Sequence, residues 1–294
     1  SKDCTFKFMK SEEDRYGSKY AVFVDSPGLY RLDNIIIRPE IDLATANANE
    51  WGVPSHDNNG SIEHQHKREN FGGIGIRPHS TISHLGPNIG ITDFPSAGIS
   101  NSGTLYGMGI IIQNNKRGVS IGGRSILYNA TILSNPEENL RVEQNHARCS
   151  LVRSFVMGSG KHVWARNGAG GVAVDTAFLY GMQYHNTNNP ITSNGVFRFD
   201  RNTTGEVSRC FMHRSGNGFE VVDNSSLILR YCVNQEPWQT SYSSRGNSHM
   251  NLSWCASIKA RSCGIYCSDR AVINMSHMFI SGTAFNNVLD HNGT

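Results

Sequence analysis

Two histidines in the stretch 56–84 have a spacing that could hold a metal ion. In Glu63-His64-Gln65-His66 the imidazoles of His64 and His66 are two residues apart, so on a β-strand they point to the same face. Neutral imidazole is a common ligand of divalent metals, and it titrates near neutral pH. Three interpretations stay open: a divalent metal site at His64 and His66, an acid–base or ligand-binding group, and a solvated loop whose histidines bond backbone. No other cofactor is expected.

Three carboxylates, Asp200, Glu220 and Asp223, are candidates for chemistry on a sugar. Cleavage of a glycosidic bond uses two carboxyl groups roughly 5 to 10 Å apart. Asp200 and Asp223 are one chain repeat apart, and stacked repeats would bring such groups to about 4.8 Å from each other. The alternative is that they are solvating charges or partners for arginines. The remaining acidic residues considered are expected on other faces: Glu137, Glu138, Asp175 and Glu206.

Aromatic residues beside two loop-like segments, 181–194 and 235–245, are the candidates for sugar contact. Sugars present apolar C–H faces that stack on aromatic rings, while polar side chains bond their hydroxyls. Trp238, Tyr180 and Tyr184 border these segments, and Arg201 supplies hydrogen-bond donors. These four residues are predicted to bind substrate. Tyr242 also borders a segment but fits an inward row, which favours a place in the core.

These residues need a scaffold, and the last two thirds of the chain repeat at a fixed interval. Asparagines stand 22, 35, 22, 23 and 45 residues apart, where 35 is one repeat plus an insertion and 45 is two repeats: Asn145, Asn167, Asn202, Asn224, Asn247 and Asn292. A fixed period of this length is typical of stacked-repeat architectures. Asn tolerates the left-handed backbone conformation of a sharp turn, and its amide can bond the equivalent amide one coil away. We therefore expect an Asn ladder.

Apolar rows keep in phase with these asparagines. The residues three and five positions before each asparagine are two apart, which is the period of a β-strand, so each pair is predicted to point to one side of a strand. The pairs are Leu140 and Val142, His162 and Trp164, Phe197 and Phe199, Phe219 and Val221, and Tyr242 and Ser244. A later row contains Cys210, Cys232 and Cys255. Each unit of about 22 residues is too short to bury these rows alone, so units must stack. The prediction is an all-β right-handed parallel β-helix.

Composition excludes several functions. The 294 residues carry a net charge of +3, and no run approaches 18 apolar residues, so neither nucleic-acid binding nor membrane insertion is expected. Seven cysteines, three of them in one core row, indicate free thiols and assembly in a reducing cytoplasm. We expect a connector or cap over 1–19, irregular first coils with the His-rich excursion over 20–103, and regular coils over 104–294, as part of a longer chain or assembly.

With the asparagine row and core rows in hand, the chain resembles the β-helix body of bacteriophage tailspikes and tail fibres, and more loosely the pectate-lyase-like superfamily. The resemblance covers 104–294 well and 20–103 poorly, and it is one of architecture, since no catalytic motif matches. It implies a homotrimer in the virion tail, made in the bacterial cytoplasm. Its implied partners are host surface polysaccharide and other phage tail proteins.

Three functions follow from this resemblance. The first is a receptor-binding tailspike without strong catalysis, and the second is the same assembly with a depolymerase site that acts as hydrolase or lyase. The third is a free bacterial polysaccharide lyase or epimerase of the same fold.

Overall fold

The computed structural model describes residues 19–38, 71–158, 161–181 and 197–291. Within these ranges every regular element is a β-strand, and 31 strands form three parallel sheets of 11, 10 and 10 strands. Each coil of the chain gives one strand to each sheet in turn. The architecture is a right-handed parallel β-helix, as predicted.

The strand bounds follow this threefold order. Sheet A comprises β1 (Lys19–Val24), β4 (Phe71–Ile76), β7 (Ala97–Asn101), β10 (Arg117–Ile121), β13 (Glu138–Glu143), β16 (Lys161–Arg166), β19 (Phe197–Phe199), β22 (Phe219–Val221), β25 (Tyr242–Ser244), β28 (Ile265–Ser268) and β31 (Val288–His291). Sheet B comprises β2 (Leu29–Leu32), β5 (Thr81–Leu85), β8 (Thr104–Met108), β11 (Arg124–Tyr128), β14 (Arg148–Val152), β17 (Gly170–Asp175), β20 (Thr204–Ser208), β23 (Ser226–Arg230), β26 (His249–Ser253) and β29 (Val272–Ser276). Sheet C comprises β3 (Ile36–Ile37), β6 (Ile89–Thr92), β9 (Ile110–Gln113), β12 (Thr131–Leu133), β15 (Phe155–Gly158), β18 (Phe178–Gly181), β21 (Phe211–His213), β24 (Val233–Gln235), β27 (Ala256–Ile258) and β30 (Phe279–Ser281).

The core is a set of apolar columns between the three sheets. Phe197, Phe219 and Tyr242 are successive register partners; the first two rings are tilted with centroids 5.3 Å apart, and the last two are stacked at 5.6 Å. Tyr242 is fully buried, and its hydroxyl donates to the carbonyls of Ala256 and Cys232. The prediction that Tyr242 belongs to the core is confirmed.

One predicted core pair is shifted by a residue. In β16 the register partners of Leu140 and Val142 are Val163 and Ala165, which are fully buried. Trp164 points outward instead, whereas His162 is buried beside Val163. The strand-to-strand step here is 23 residues while the asparagines are 22 apart, so counting from the asparagine selects the wrong neighbour.

The three corners of each coil differ in chemistry. The first corner joins sheet A to sheet B, the second joins B to C, and the third joins C to the next strand of A. At the second corner each coil has a residue of positive φ, which costs an L-residue other than Gly roughly 1–2 kcal/mol. In chain order these residues are Asn34, Asn88, Gly109, Asn129, Arg153, Thr176, Arg209, Tyr231, Trp254 and His277.

Backbone hydrogen bonds hold the second corner. The amide of Arg153 donates to the carbonyl of Asp175 on the next coil, and the amide of Tyr231 donates to Ser253, both at 3.0 Å. Small buried residues follow the corner, among them Cys210, Cys232 and Cys255 as predicted. All three are free thiols. The side chains of Cys210 and Cys232 are hydrogen-bonded, and this contact raises the pKa of Cys232 to about 12.

The predicted asparagine row occupies the first corner. Asn167, Asn202 and Asn224 have positive φ, which is the backbone role expected of them, whereas in the coils of Asn145 and Asn247 the positive φ falls on Gln144 and Gly246 instead. Asn292 lies outside the described residues. The Asn167 amide bonds Glu143 and accepts from Arg201 rather than pairing with the next asparagine. Exposed amides bond between coils at the second corner (Asn88 to Asn34) and on sheet B (Asn274 to Asn251), and buried amides bond each other at the third corner.

There, buried amides bond from coil to coil. The amide oxygen of Asn115 accepts from the backbone N–H of Phe94 at 3.0 Å, and that of Asn135 accepts from the Asn115 N–H at 3.0 Å. The Asn115 side chain also donates to Asn135, and Asn135 donates to Asn139 at 2.9 Å. Gly118 leaves room for this stack, because a Cβ there would lie 2.3 Å from the Asn139 carbonyl.

The coils before residue 104 already stack strand on strand, with register shifts where β5 pairs with β2 and with β8. Strand β1 pairs with β4, and β4 pairs with β7. The apolar stretches around Ile36 and Ile110 both form strands of sheet C. Within the residues that the structure describes, the three-sheet arrangement is thus present from Lys19 onward.

Candidate functional site

The outer face of sheet A contains a continuous column of large polar side chains. Arg141, Trp164, Arg198 and Glu220 are successive register partners on β13, β16, β19 and β22. Each coil thus adds one outward side chain, at a rise of about 4.8 Å. We call this group and its charged neighbours the sheet A cluster: Glu138, Arg141, Lys161, Trp164, Arg166, Arg198, Asp200, Glu220 and Arg245.

Two of the predicted catalytic carboxylates lie side by side in this cluster. Arg198 bridges them, with Nε 3.2 Å from Asp200 Oδ2 and Nη1 3.1 Å from Glu220 Oε2. The Trp164 indole N–H donates to Asp200 at 2.9 Å, and Arg245 pairs with Glu220. Both carboxylates are almost fully buried, whereas Arg198 and Arg245 are partly exposed. The arginines and the indole are therefore the groups that an incoming ligand would meet.

Cations surround the face of Trp164. Lys161 Nζ lies 3.4 Å from the ring centroid, and the guanidinium carbons of Arg166 and Arg141 lie at 4.3 and 5.4 Å. Such contacts stabilise charged side chains over the negative face of the indole. These contacts fix the position of the ring at the centre of the cluster.

A carboxyl and an amine in the cluster titrate away from their ordinary ranges. Burial raises the pKa of Glu138, against the opposing attraction of Arg141 and Arg117. Burial lowers the pKa of Lys161, against the attraction of Glu138 and Asp200. The two residues are register partners on β13 and β16. Displaced pKa values are typical of functional sites, although structural ion networks produce them too.

A shallow cleft of about 570 Å³ adjoins the cluster toward the N-terminal coils. Its floor is formed by small residues of sheet A, and the first corner forms one side. Residues that line it include Ser100, Ser120, Gly122, Glu143, Asn145 and Asn167. Glu143 connects the two sites because it pairs with Arg141 and Arg166 of the cluster.

The other predicted site residues lie elsewhere on the solenoid. Asp223 and Arg201 are exposed at the first corner, on neighbouring coils. Trp238 lies near the third corner with the Arg261 guanidinium carbon 3.3 Å from its ring centroid. Tyr180 is on the outer face of sheet C, edge-on to His213. Tyr184, His64 and His66 lie outside the described residues.

Several members of the sheet A cluster were not anticipated. Glu138 was expected on another face, but it begins β13 and lies on the same sheet as Glu220. Trp164 was expected in the core. Arg141, Trp164, Arg198 and Glu220 stand 23, 34 and 22 residues apart, so the chain repeat itself was the available signal.

Among the described residues, no group of three or more His, Cys, Asp or Glu side chains could hold a metal ion. No described segment forms a helix long and apolar enough to cross a membrane.

Comparisons with protein-family models, with curated proteins and with solved structures found no match to this chain. The fold and the site together define its class. It is a right-handed parallel β-helix protein with a charged, tryptophan-centred cluster on one outer face.

Proposed function

We propose that this protein binds a polysaccharide along the outer face of sheet A. The β-helix fold is compatible with polysaccharide-binding and polysaccharide-degrading proteins. The observation that carries the proposal is the sheet A cluster, where an indole lies among arginines held in place by buried carboxylates. The partly exposed guanidinium groups offer donors to sugar hydroxyls, and the indole, with cations over its face, holds those groups in place. An extended chain of sugars suits a site that continues from coil to coil.

Affinity electrophoresis in gels that contain capsular polysaccharide or lipopolysaccharide from candidate hosts tests this proposal. Trp164→Leu is expected to weaken binding by roughly three- to tenfold, because the surrounding cations lose the ring that positions them. Trp238→Leu is the matched variant, because Trp238 also contacts an arginine but lies near the third corner. Unchanged binding by Trp164→Leu would remove the cluster from the binding site. A loss confined to Trp238→Leu would favour the contact predicted from the sequence.

The finer proposal is that the protein is the receptor-binding part of a phage tailspike or tail fibre. Its support is the parallel β-helix itself, the free thiols of the described cysteines and the polar outer face. On this proposal the protein assembles as a homotrimer, contacts other phage tail proteins and is located in the virion tail. Mass measurement in solution tests the assembly, and a monomer at micromolar concentration would contradict it.

The second candidate is cleavage of the bound polysaccharide, favoured by the Asp200–Glu220 pair. Because Arg198 bridges both groups, they are suited to hold charge and to position donors. Glu138, whose pKa is raised by burial, is the better candidate for a proton donor in the cluster. New reducing or unsaturated ends after incubation with a bound polysaccharide would show hydrolase or lyase activity. The same products from a monomeric protein would favour the free lyase or epimerase.

A further inference from the structure

The second corner changes its residue type along the solenoid while its backbone stays the same. The first four coils use Asn34, Asn88, Gly109 and Asn129, the residue types that accept positive φ most readily. The later coils place Arg, Thr, Tyr, Trp and His in the same conformation. Tyr231, Trp254 and His277 have φ of 54°, 55° and 54°. Bulky residues with positive φ are true outliers, so the need to form a turn does not explain why these side chains occur at the corner.

These three side chains form one exposed strip along the corner. The rings of Tyr231 and Trp254 are nearly parallel with centroids 6.4 Å apart, and those of Trp254 and His277 are stacked at 3.9 Å. Tyr231 and Trp254 are 56% and 54% exposed. Because 6.4 Å exceeds the rise of about 4.8 Å per coil, the first two rings are offset and part of each face stays open.

The polar atoms of the strip are also available. Within the described residues, the Tyr231 hydroxyl, the Trp254 indole N–H and the His277 ring nitrogens have no hydrogen-bond partner. The arginine that precedes Tyr231 and the arginine at the same corner one coil earlier are already paired, Arg230 with Glu206 and Arg209 with Asp175. The strip therefore combines open aromatic faces and edges with free donors, and it lacks an unpaired arginine.

We propose that Tyr231, Trp254 and His277 form a second carbohydrate-binding strip, which takes a neutral sugar segment of the polysaccharide. The proposal rests on the proposed function, since it assigns another contact to the same ligand class. Pyranose rings have apolar C–H faces and hydroxyl edges, which match open rings with free N–H and O–H groups at their tips. Binding at two separate places on one rod raises the avidity for a long chain without new contacts at either place.

The backbone conformation supplies a substitution that removes a ring without disturbing the fold. Asn accepts positive φ, so Trp254→Asn and Tyr231→Asn delete the rings and relieve the corner. Thr176→Asn is the matched control, because it introduces the same residue at the same corner, two coils from Tyr231 and three from Trp254. All three variants are expected to melt as cooperatively as the wild type.

Affinity electrophoresis of the full chain in gels of dextran, mannan, galactan or lipopolysaccharide provides the measurement. We expect Trp254→Asn to weaken retardation by roughly three- to tenfold in the gel that retards the wild type, and Thr176→Asn to leave it unchanged. Equal behaviour of the two variants would overturn the strip. If Trp164→Leu weakens binding and Trp254→Asn leaves it unchanged, the proposed function stands and the strip fails.

Two other outcomes would overturn the proposal. If none of these polysaccharides, nor capsular polysaccharide, retards the wild type, the strip and the proposed function fail together. If the wild type self-associates at increasing concentration and Trp254→Asn does not, the strip contacts a second copy of this chain instead of a sugar.

Discussion

Asparagines have different structural roles at the first and third corners of this solenoid. At the first corner Asn202 and Asn224 are exposed, and they supply a left-handed backbone conformation. At the third corner Asn115 and Asn135 are fully buried, and their amides satisfy backbone groups of neighbouring coils. Three asparagines of the row that the sequence displays most clearly thus contribute through φ, while the buried amide contact between Asn115 and Asn135 has a spacing of 20 residues.

The difference follows from solvent. A side-chain amide at an exposed corner can bond water, so the benefit of bonding another coil is small. A buried amide has no such alternative, and leaving it or its partner unpaired costs the full desolvation penalty. The two corners should therefore respond differently to the same kind of substitution.

The largest effect is expected from Asn135→Ala. The change leaves the Asn115 N–H and the Asn139 oxygen without their partner in the interior, and it opens a small cavity. We expect a loss of about 3 kcal/mol in the free energy of unfolding, measured by urea denaturation. Gly118→Ala, which would press on the same stack, should also destabilise the protein. A loss below about 1 kcal/mol for Asn135→Ala would show that water replaces the amide.

A comparable effect is expected from acid at His162, one coil beyond Asn139. Both ring nitrogens are buried without a hydrogen bond, and burial lowers the His162 pKa from 6.5 to about 4. Since the unfolded chain takes up the proton first, stability should fall as the pH drops from about 6.5 to about 4. The total loss is about 3 kcal/mol.

Urea midpoints at pH 7 and pH 5 measure this effect against His162→Leu, which has no titrating group. The wild type should lose more stability than the variant between the two pH values. Parallel losses would mean that other histidines account for the acid sensitivity.

The smallest effect is expected at the first corner. Asn224→Ala forces a less tolerant residue into φ of 57° and should cost about 1 kcal/mol. Asn224→Gly keeps the conformation available and should change stability by only a few tenths of a kcal/mol. Thermal melts of the two variants separate the roles. Equal destabilisation by Ala and Gly would indicate that the amide group, not φ, is what matters at this corner.

Much of the fold could be predicted because period and burial act together. Phe197, Phe219 and Tyr242 repeat in register, and no unit of this length can bury such rings alone. Strand β16 was misplaced because a corner can gain or lose a residue while the strands stay in register. The Asn115–Asn135 pair escaped notice because its spacing of 20 residues differs from that of the exposed row.

The site was harder to predict than the fold. Asp200 and Glu220 were expected on neighbouring coils, and the structure places them there with Arg198 between them. The role of Glu138 depended on which of three faces it occupies, and one residue of uncertainty in a corner changes the face. Trp164 was assigned to the core for the same reason. The functions of these residues stay predictions until binding is measured.

The second corner has a consequence for how such a chain can change over time. Its bend is maintained by main-chain contacts between coils, so whatever side group stands there is displayed outward at a constant pitch. The side chain at one of these positions can change without altering the backbone of the solenoid, as Gly109, Arg153 and Trp254 illustrate within a single molecule. At the edge between sheets B and C, each coil therefore presents one side chain that can be replaced independently of the others.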